Sequence, residues 1–599
     1  MQFPSLSTLF QHIKAAWQRF PAASLLAILC MIGCMVSIEQ GHHREPDTWL
    51  IRFIMSTALG MPLLLGISVA AESYQWSTAK MWGARGIGLL AILCYYFTLN
   101  ITTDDFSPED AIRFAAMILI VHCGVAVAAY LTKREGSVLS FWEFNKILLA
   151  QWVMAAFYSL VLYVGISLAI LGIDQLFNLD WPWRIYLHLF VVIAAGFHPL
   201  YFLSQMPKVY DLSEEDVSYT AAIRNLVKYI LIPLTLLYLL ILYAYILKIG
   251  LEWAWPKGYV SSLSLGFSLV GILTYLLNYR LVETDDSTFL AWFRRWFFYL
   301  LTPVVPVMLL AVGRRLTDYG VTEPRYIVAM LAIWLLMTCV YFIVSRKDDI
   351  RFIPLSLAIV AFLSVVGPWS ATPVSKRSQV NALEELMTEK GLLASGKAQV
   401  SKGSLNDDER SRFYSILNFL RERNALKTIQ PWFSPALDSA FQNKELNYQL
   451  ADIIISHLQV ETPGYVQKSG SLAFNNIQGG LPAKGYDLLF KVELGQDVVQ
   501  KFQQDSLSLS INKPASLTIR KGKKKSDTFD LMPYMQKLVA DHTDQFHYTN
   551  VEKPEDASIS FKGQYMEVLL VPENIDYEFT NNKVIVNNLR GILLVRPLK

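Results

Sequence analysis

Charged residues are scarce in this sequence. Only 17% of its 599 residues are Asp, Glu, Lys or Arg, whereas 53% are hydrophobic. Soluble domains usually carry about 25% charged residues, so the composition excludes an ordinary soluble protein and indicates insertion into a lipid bilayer. The formal net charge of +3 is too small for a chain of this length to indicate a nucleic-acid partner.

Cysteine is rare as well, and its positions exclude a disulfide framework. All five cysteines lie in apolar stretches, and residues 371–599 contain none. Cys30 and Cys34 are one helical turn apart, but no His or carboxylate stands close to them in the sequence, which favours packing thiols over metal ligands. No His or Cys pair has the spacing of a zinc site. We therefore predict neither a metal nor a cofactor.

Recognisable catalytic motifs are also missing. No Gly-rich phosphate loop follows a strand, and no G-x-S-x-G is present. Ionisable residues are almost absent from the centres of the apolar runs, which argues against an ion relay across the membrane. His122 and His198 are the polar exceptions. Pro199 follows His198, so a kinked helix with an inter-helical hydrogen bond is the structural interpretation, and His198 is kept as a ligand-binding candidate.

Long apolar runs are what the sequence has in abundance. A helix that crosses about 30 Å of hydrocarbon needs about 20 apolar residues. Eleven runs fit, and they predict a polytopic α-helical membrane bundle. The predicted spans cover residues 21–38, 50–71, 86–99, 112–131, 147–171, 185–205, 229–247, 260–279, 297–313, 326–345 and 352–367.

The distribution of Lys and Arg predicts the orientation. Basic residues collect in short cytoplasmic loops, and an N-terminus in the cytoplasm puts sixteen of them inside and nine outside before residue 370. With eleven spans, the C-terminal region then lies outside. In a Gram-negative cell that side of the inner membrane is the periplasm.

The composition changes sharply after Trp369, so we predict three parts: a multi-span membrane domain over residues 1–370, a helical soluble subdomain over 371–461 and a strand-rich soluble subdomain over 462–599. In the second part, apolar residues recur at helical spacing, as in Leu383, Leu386 and Met387. In the third they alternate, as in Leu507, Leu509 and Ile511. The expected fold is a membrane bundle of about eleven helices followed by a soluble α+β region.

The stretch from Arg314 to Arg325 is the richest in polar groups beside the membrane. Thr322 is positioned to cap the next helix, Pro324 suits its first turn, and Glu323 complements the helix dipole. Three guanidinium groups near a membrane surface could also hold a lipid phosphate or another anion. The ligand-binding candidates are Arg314, Arg315, Glu323, Arg325 and His198. In the strand-rich part, the basic run at residues 520–525 favours a solvated hairpin tip over contact with anionic lipid or polysaccharide.

Three segments carry a resemblance to a known family. They are residues 319–326 (YGVTEPRY), 141–146 (FWEFNK) and 367–370 (GPWS). Together they resemble the bacterial membrane-protein family catalogued as domain of unknown function 4153. The resemblance implies a multi-span envelope protein, and because that family has no established catalytic residues it implies no active site.

Three classes of function remain open. The favoured hypothesis is a non-enzymatic inner-membrane protein that anchors a periplasmic domain, which binds an envelope protein or polysaccharide. The second is a transporter or flippase for an anionic or lipid-linked substrate, with the arginines selecting the substrate and proline kinks allowing movement. The third is a membrane enzyme acting on lipid-linked saccharides, for which Asp104-Asp105, Glu109-Asp110 and Asp285-Asp286 are the acidic pairs.

Overall fold

The structure is a computed structural model. It describes residues 14–598 except 44–46, 100, 102–106, 133–136, 209–220, 253–259, 285–286, 346–347, 400–404, 443–449, 459–467, 474–484, 494–496, 503–504, 513–515, 522–524, 535–536, 538–548, 551–557 and 581–582. The chain folds into two compact units. The first contains residues 1–389, 393–398 and 414–454, and the second contains residues 390–392, 399–413 and 455–599.

The first unit is built on long apolar helices. They are α1 (Pro21–His43), α2 (Thr48–Ser73), α3 (Thr78–Thr98), α4 (Pro108–Ala128), α5 (Ser137–Phe177), α6 (Arg184–Val191), α7 (His198–Ser204), α8 (Ala221–Leu226), α9 (Ile232–Glu252), α10 (Val260–Asn278), α11 (Leu281–Thr284), α12 (Thr288–Leu301), α13 (Val304–Tyr319), α14 (Glu323–Val344) and α15 (Phe352–Val365). Within the described residues, nine helical segments are long and apolar enough to cross a membrane.

Those nine segments coincide with nine of the eleven predicted spans, but the count of eleven is not confirmed. The predicted spans at 86–99 and 352–367 correspond to α3 and α15, which are outside the nine. Helix α3 starts in polar sequence and carries Lys80 and Arg85, whereas α15 has only 14 residues. At about 1.5 Å per residue, α15 is about 21 Å long, shorter than the hydrocarbon core.

Prolines shape three of the membrane segments. A π-helical turn at Val192–Phe197 joins α6 to α7 immediately before His198 and Pro199, and a second at Val227–Leu231 joins α8 to α9 before Pro233. A proline has no backbone N–H and its ring clashes with the carbonyl four residues earlier, so the wider π turn accommodates it. Pro303 stands at the break between α12 and α13. The kink predicted at Pro199 therefore takes the form of a π turn.

Polar contacts at the helix ends define two ends of the bundle. At one end, here the Arg19 end, Arg19 pairs with Glu72 at 2.8 Å. There Ser73 Oγ also donates to the carbonyl of Ala129, so the C-termini of α2 and α4 lie together. The opposite end of α4 begins the Glu109 end, where Lys376 pairs with Glu109 at 2.5 Å. The start of α1 and the helix that contains Lys376 are therefore at opposite ends of the bundle.

That helix is α16 (Ala371–Glu389), the first of the helices outside the apolar segments. It is followed by β1 (Leu393–Ala394), β2 (Lys397–Ala398), α17 (Asp407–Glu422), a 3₁₀ turn (Leu426–Thr428), α18 (Gln430–Phe433), α19 (Asp438–Gln442) and α20 (Leu450–His457). The inner face of α16 buries Leu383, Leu386 and Met387, which confirms the helical periodicity noted in the sequence. Most of these residues belong to the same compact unit as the membrane helices.

The second unit contains two antiparallel-based sheets with a common core. Its strands are β3 (Lys468–Ala473), β4 (Leu488–Glu493), β5 (Asp497–Phe502), β6 (Asp505–Asn512), β7 (Ser516–Lys521), β8 (Lys525–Asp530), β9 (Thr549–Asn550), β10 (Ile559–Lys562), β11 (Met566–Thr580) and β12 (Lys583–Pro597). One sheet has the order β4-β12-β11-β3-β9, with β10 also on β11, and the other is the meander β5-β6-β7-β8. Alternate residues of both sheets, such as Leu509, Ile519 and Val568, are buried together, as in a β-sandwich.

Candidate functional site

The loop between α13 and α14, which carries the predicted candidates, lies against α16. Val321 N–H donates to Ser378 Oγ at 2.8 Å, and Gln379 Nε2 donates to the Val321 carbonyl at 3.0 Å. Gly320 has φ +72° and ψ 169°, a conformation open essentially only to glycine. A Cβ at Gly320 would stand 2.9 Å from Gln379 Nε2. Glycine thus provides both the turn and the close approach of the two backbone segments.

Glu323 forms a buried ion pair. Its Oε1 accepts from Nε of Arg423 at 2.7 Å, and the two side chains are only 0% and 8% exposed. The guanidinium carbon of Arg423 lies 3.7 Å from the ring centroid of Phe419, and its Nη1 donates to the Phe419 carbonyl. The pair joins the first turn of a membrane helix to the end of α17. Because the pair is buried, removal of Glu323 would leave Arg423 with only the half-exposed Glu422, and removal of Arg423 would leave Glu323 without its counter-charge.

Two further contacts connect the membrane helices with α16. Lys376 of α16 pairs with Glu109 at the start of α4, and Tyr326 OH donates to the carbonyl of Trp369 at 2.7 Å. We call the set formed by Glu109, Gly320, Val321, Glu323, Tyr326, Trp369, Lys376, Ser378, Gln379 and Arg423 the docking junction. It uses three positions along α16 and the end of α17, so these two helices are held at several points.

The candidate arginines differ in their surroundings. Arg325 is half-buried, and its Nη1 donates to the carbonyl of Gly320 at 2.8 Å, so it closes its own loop. Arg314 is exposed and Arg315 is half-buried, and both precede the last turn of α13. Thr322 precedes α14 as predicted and Pro324 stands in its first turn, but the Thr322 hydroxyl makes no capping hydrogen bond. The predicted cap was wrong in that respect.

His198 is remote in the sequence from the docking junction and belongs to the α6–α7 segment. It starts α7 directly after the π turn, and its ring meets Trp152 of α5 edge to face with centroids 5.9 Å apart. His122 is exposed, and its Nδ1 is hydrogen-bonded to the carbonyl of Ile118 in the same helix. Neither histidine contacts the candidate arginines. Glu323 and Arg325 both lie at the α13–α14 loop, whereas His198 belongs to a different segment.

The acidic pairs considered for an enzyme are engaged or lie outside the described residues. Glu109 is bound by Lys376, and Asp110, which is 2% exposed, lies 3.6 Å from Arg113. Asp104-Asp105 and Asp285-Asp286 lie outside the described residues. Among the residues that the structure describes, no group of three or more His, Cys, Asp or Glu side chains could hold a metal ion.

A second polar cluster lies at the Arg19 end, and no sequence motif indicated it. Arg294 of α12 pairs with Asp348 at 2.7 Å, and its guanidinium carbon lies 4.1 Å from the Tyr279 ring centroid. Tyr275 OH donates to Asp348 Oδ1 at 3.0 Å, and Tyr279 OH donates to the Asp348 carbonyl. The partners of Asp348 are more than 50 positions away along the chain, so no local pattern could reveal them. This cluster ties α10, α12 and the turn after α14 together.

Arg85 is a third feature that sequence reasoning missed, because it was counted only as a basic residue near the membrane edge. It is 6% exposed in α3, and its Nη2 donates to Ser68 Oγ at 3.3 Å. Its guanidinium carbon lies 5.2 Å from the Trp82 ring centroid. A buried arginine held by a hydroxyl and a ring is characteristic of the interfacial zone, where its head group can reach water or phosphate.

Outside the membrane segments, two carboxyl groups have perturbed titration. Hydrogen bonds from Gln430 Nε2 and Ser434 Oγ lower the pKa of Asp438, with Lys397 contributing a smaller electrostatic effect. A hydrogen bond from Lys390 lowers the pKa of Glu409, and Asn406 contributes further. Both groups are stabilised in the charged form by ordinary surface contacts, so neither has the raised pKa expected of a general acid.

Comparison with known proteins finds both a relative of this chain and a matching protein family. The chain is 23% identical over 397 residues to an uncharacterised protein of Pasteurella multocida (strain Pm70), and the match covers 65% of each chain. The chain therefore spans about two thirds of the length of that relative. No solved structure matches. The family described as domain of unknown function (DUF4153) matches residues 25–391, from α1 through the end of α16. This match covers more than half of the sequence, and the chain belongs to that family.

Proposed function

We propose that the protein is a multi-pass inner-membrane protein whose helix bundle anchors extramembrane domains in the periplasm, where they bind an envelope protein or polysaccharide. The observation that carries this proposal is the docking junction. A buried ion pair between Glu323 and Arg423 and two hydrogen bonds between the Val321 backbone and α16 side chains hold α16 and the end of α17 on the α13–α14 loop and the start of α14. Such a fixed junction suits a bundle that presents a domain at the membrane surface.

The family match ends near residue 391, just after α16, whereas Arg423 lies beyond it. The ion pair therefore connects the family domain to the segment that follows. An anchor needs this kind of connection, because the load that a bound partner applies to the soluble region must reach the membrane helices. Since Glu323 is fully buried, the connection is shielded from water and from salt.

The interior of the bundle also favours an anchor over an ion-coupled transporter. Several buried hydroxyls in the described spans bond to carbonyls of their own helix, as Ser268 does to Ser264, Thr338 to Trp334 and Ser364 to Val360. Hydroxyls used in this way do not form a continuous polar path. The buried carboxylates Asp110, Glu143 and Glu323 lie near helix ends.

The proposed topology has the N-terminus in the cytoplasm and eleven crossings, with α3 and α15 included. The excess of Lys and Arg at the Arg19 end supports it. The opposite locations of the start of α1 and of α16 are what an odd number of crossings requires. Short helices such as α15 can cross where the bilayer thins or flanking side chains extend to the interface.

Cysteine labelling in intact cells tests this topology. Single cysteines replace Ser526 of β8, Thr388 of α16 and Ala79 of α3, all exposed, in a chain whose five native cysteines are changed to alanine. We expect a membrane-impermeant maleimide to label the first two and not the third until the cells are opened. Labelling of Ala79→Cys alone would show that the orientation is the reverse of the proposed one. Labelling of all three cysteines, or of none, would contradict the placement of α3's start and of α16 on opposite sides of the membrane.

The π turns before Pro199 and Pro233 favour a second candidate function, a transporter or flippase, because they interrupt two neighbouring spans at positions that can bend. Spin labels at the exposed positions Leu187 in α6 and Tyr238 in α9 distinguish the two functions. A single distance in reconstituted protein is the result expected of an anchor. Two distances whose populations change with an added lipid-linked anion would favour the transporter.

A further inference from the structure

A groove along α2 and α4 is a feature of the bundle that the proposed anchor does not use. It has a volume of about 660 Å³ and extends along α2 from Pro62 to Tyr74. At about 1.5 Å per residue, that stretch is about 18 Å long. Its walls are apolar except at one end, where Tyr74, Trp76, Lys80 and Thr132 surround the mouth.

Glycine and other small residues keep the groove open. Gly66 and Ala70 of α2 face Gly124 and Ala128 of α4 across it. A Cβ added at Gly124 would meet no atom within 4 Å, so the space beside it is empty rather than filled by a neighbouring helix. A Cβ at Gly66 would be in ordinary contact with Val125, at 3.6 Å from its Cγ2. The groove is therefore part of the packing of α2 on α4.

The mouth carries the groups that proteins place at the membrane–water interface. Lys80 Nζ lies 4.6 Å from the centroid of the Trp76 ring, and Tyr74 OH accepts from the Thr132 backbone N–H at 3.2 Å. Within the part of the chain that the structure describes, no carboxylate pairs with Lys80. Lysine and tryptophan at this depth face lipid headgroups. The groove thus has an apolar length and a cationic end, which is the polarity of an anionic phospholipid.

We propose that the α2–α4 groove binds one phospholipid with an anionic headgroup, its acyl chain along Gly66 and Gly124 and its phosphate beside Lys80. A transmembrane helix in the groove would leave Lys80 over an apolar surface, whereas a phosphate compensates its charge. The bound lipid fills the contact between α2 and α4 and stabilises this part of the bundle.

The test uses the full-length protein in mild detergent, stripped of lipid and then equilibrated with vesicles of phosphatidylglycerol and phosphatidylcholine in equal amounts. Native mass spectrometry counts the retained lipids. We expect one retained phosphatidylglycerol, preferred over phosphatidylcholine on the order of fivefold, the ratio that about 1 kcal/mol from one lysine near an anionic headgroup provides.

Two variants separate the charge from the groove. Lys80→Gln is expected to lower the preference to about one and to retain lipid of either kind. Gly124→Leu fills the groove and is expected to remove the retained lipid. Gly83→Leu is the matched control, because Gly83 lies on α3 outside the groove and its added Cβ would also meet nothing within 4 Å. It should behave as the unmodified protein does.

The proposal would be overturned by equal retention of the two lipids in the unmodified protein, or by the same loss in Gly83→Leu as in Gly124→Leu. Cross-linking of Gly124→Cys to a second copy, with no lipid retained, would assign the groove to a helix instead. If Gly124→Leu does not fold, the Lys80→Gln ratio alone still decides, because that side chain is exposed and its replacement leaves the packing intact.

Discussion

The two ends of the membrane bundle use ion pairs in different ways. At the Glu109 end, Glu323 and Arg423 are 0% and 8% exposed, whereas at the Arg19 end the side chains of Arg294 and Asp348 are 22% and 42% exposed. The distance is 2.7 Å in both pairs. Burial rather than distance therefore decides how costly it is to lose a partner, since an exposed charge regains water and a buried one does not. The first pair connects the membrane helices to α17, and the second connects membrane helices to one another.

The largest expected effect is at the buried pair. Glu323→Ala leaves the buried Arg423 with only the half-exposed Glu422 as a counter-charge, and we expect a loss of about 3–5 kcal/mol in the free energy of unfolding. The helices α17–α20 should become sensitive to trypsin in purified protein. Glu422→Ala is the control, because Glu422 also contacts Arg423, at 3.2 Å, but is 49% exposed. Equal sensitivity of the two variants would contradict the role of burial.

Gly320 should come next. Gly320→Ala forces a side chain into a conformation that costs about 1–3 kcal/mol, and its Cβ displaces the Gln379 side chain. The loss is to be measured as a lower melting temperature in detergent. Gly396→Ala is the control, since Gly396 has φ +73° but its added Cβ would meet nothing within 4 Å. If the melting temperature falls less in Gly396→Ala than in Gly320→Ala, the result supports a contribution from the contact between Gly320 and α16. Equal falls would argue against that contribution.

The half-exposed pair should matter less. We expect Asp348→Asn to cost about 1 kcal/mol or less, because solvent screens the charge on Arg294 once its partner is neutral. The hydrogen bond from Tyr275 to Oδ1 can persist in the amide. A melting curve of this variant beside Glu323→Ala tests the comparison directly. If Asp348→Asn loses as much stability as Glu323→Ala, the exposure of an ion pair does not determine how much stability is lost when it is broken.

The smallest effect is a pH dependence in the Ser434–Asp438 turn. The pKa of Asp438 is lowered in the folded protein, so its contribution is complete above the usual aspartate pKa and is lost as the pH falls through the lowered value. We expect the protection of the amides of residues 430–442 against hydrogen exchange, measured relative to the intrinsic exchange rate at each pH, to fall at acidic pH, and Asp438→Asn to remove that change. Protection that stays the same at every pH in the unmodified chain would refute the prediction.

Several elements were predictable because they depend on local sequence. The nine long apolar helices follow from runs of about 20 residues, the start of α14 follows from Thr322 and Pro324, and the inner face of α16 follows from its periodicity. The difficult cases were α3, which starts in polar sequence, and α15, which has only 14 residues. The periodicity of an apolar run does not say whether a segment of 14 residues crosses a bilayer, which depends on the lipid and on neighbouring helices.

Composition and periodicity were enough to predict a polytopic membrane protein whose C-terminal region is helical and then strand-rich, because both depend on which apolar residues are buried in lipid or in a core. The partners of the polar side chains became known only from the folded chain. Folding paired Glu323 with Arg423 and Arg294 with Asp348, residues 100 and 54 positions apart, and it opened the groove beside Gly124. Such contacts depend on how helices pack, and helix packing is set by many side chains at once rather than by any local motif.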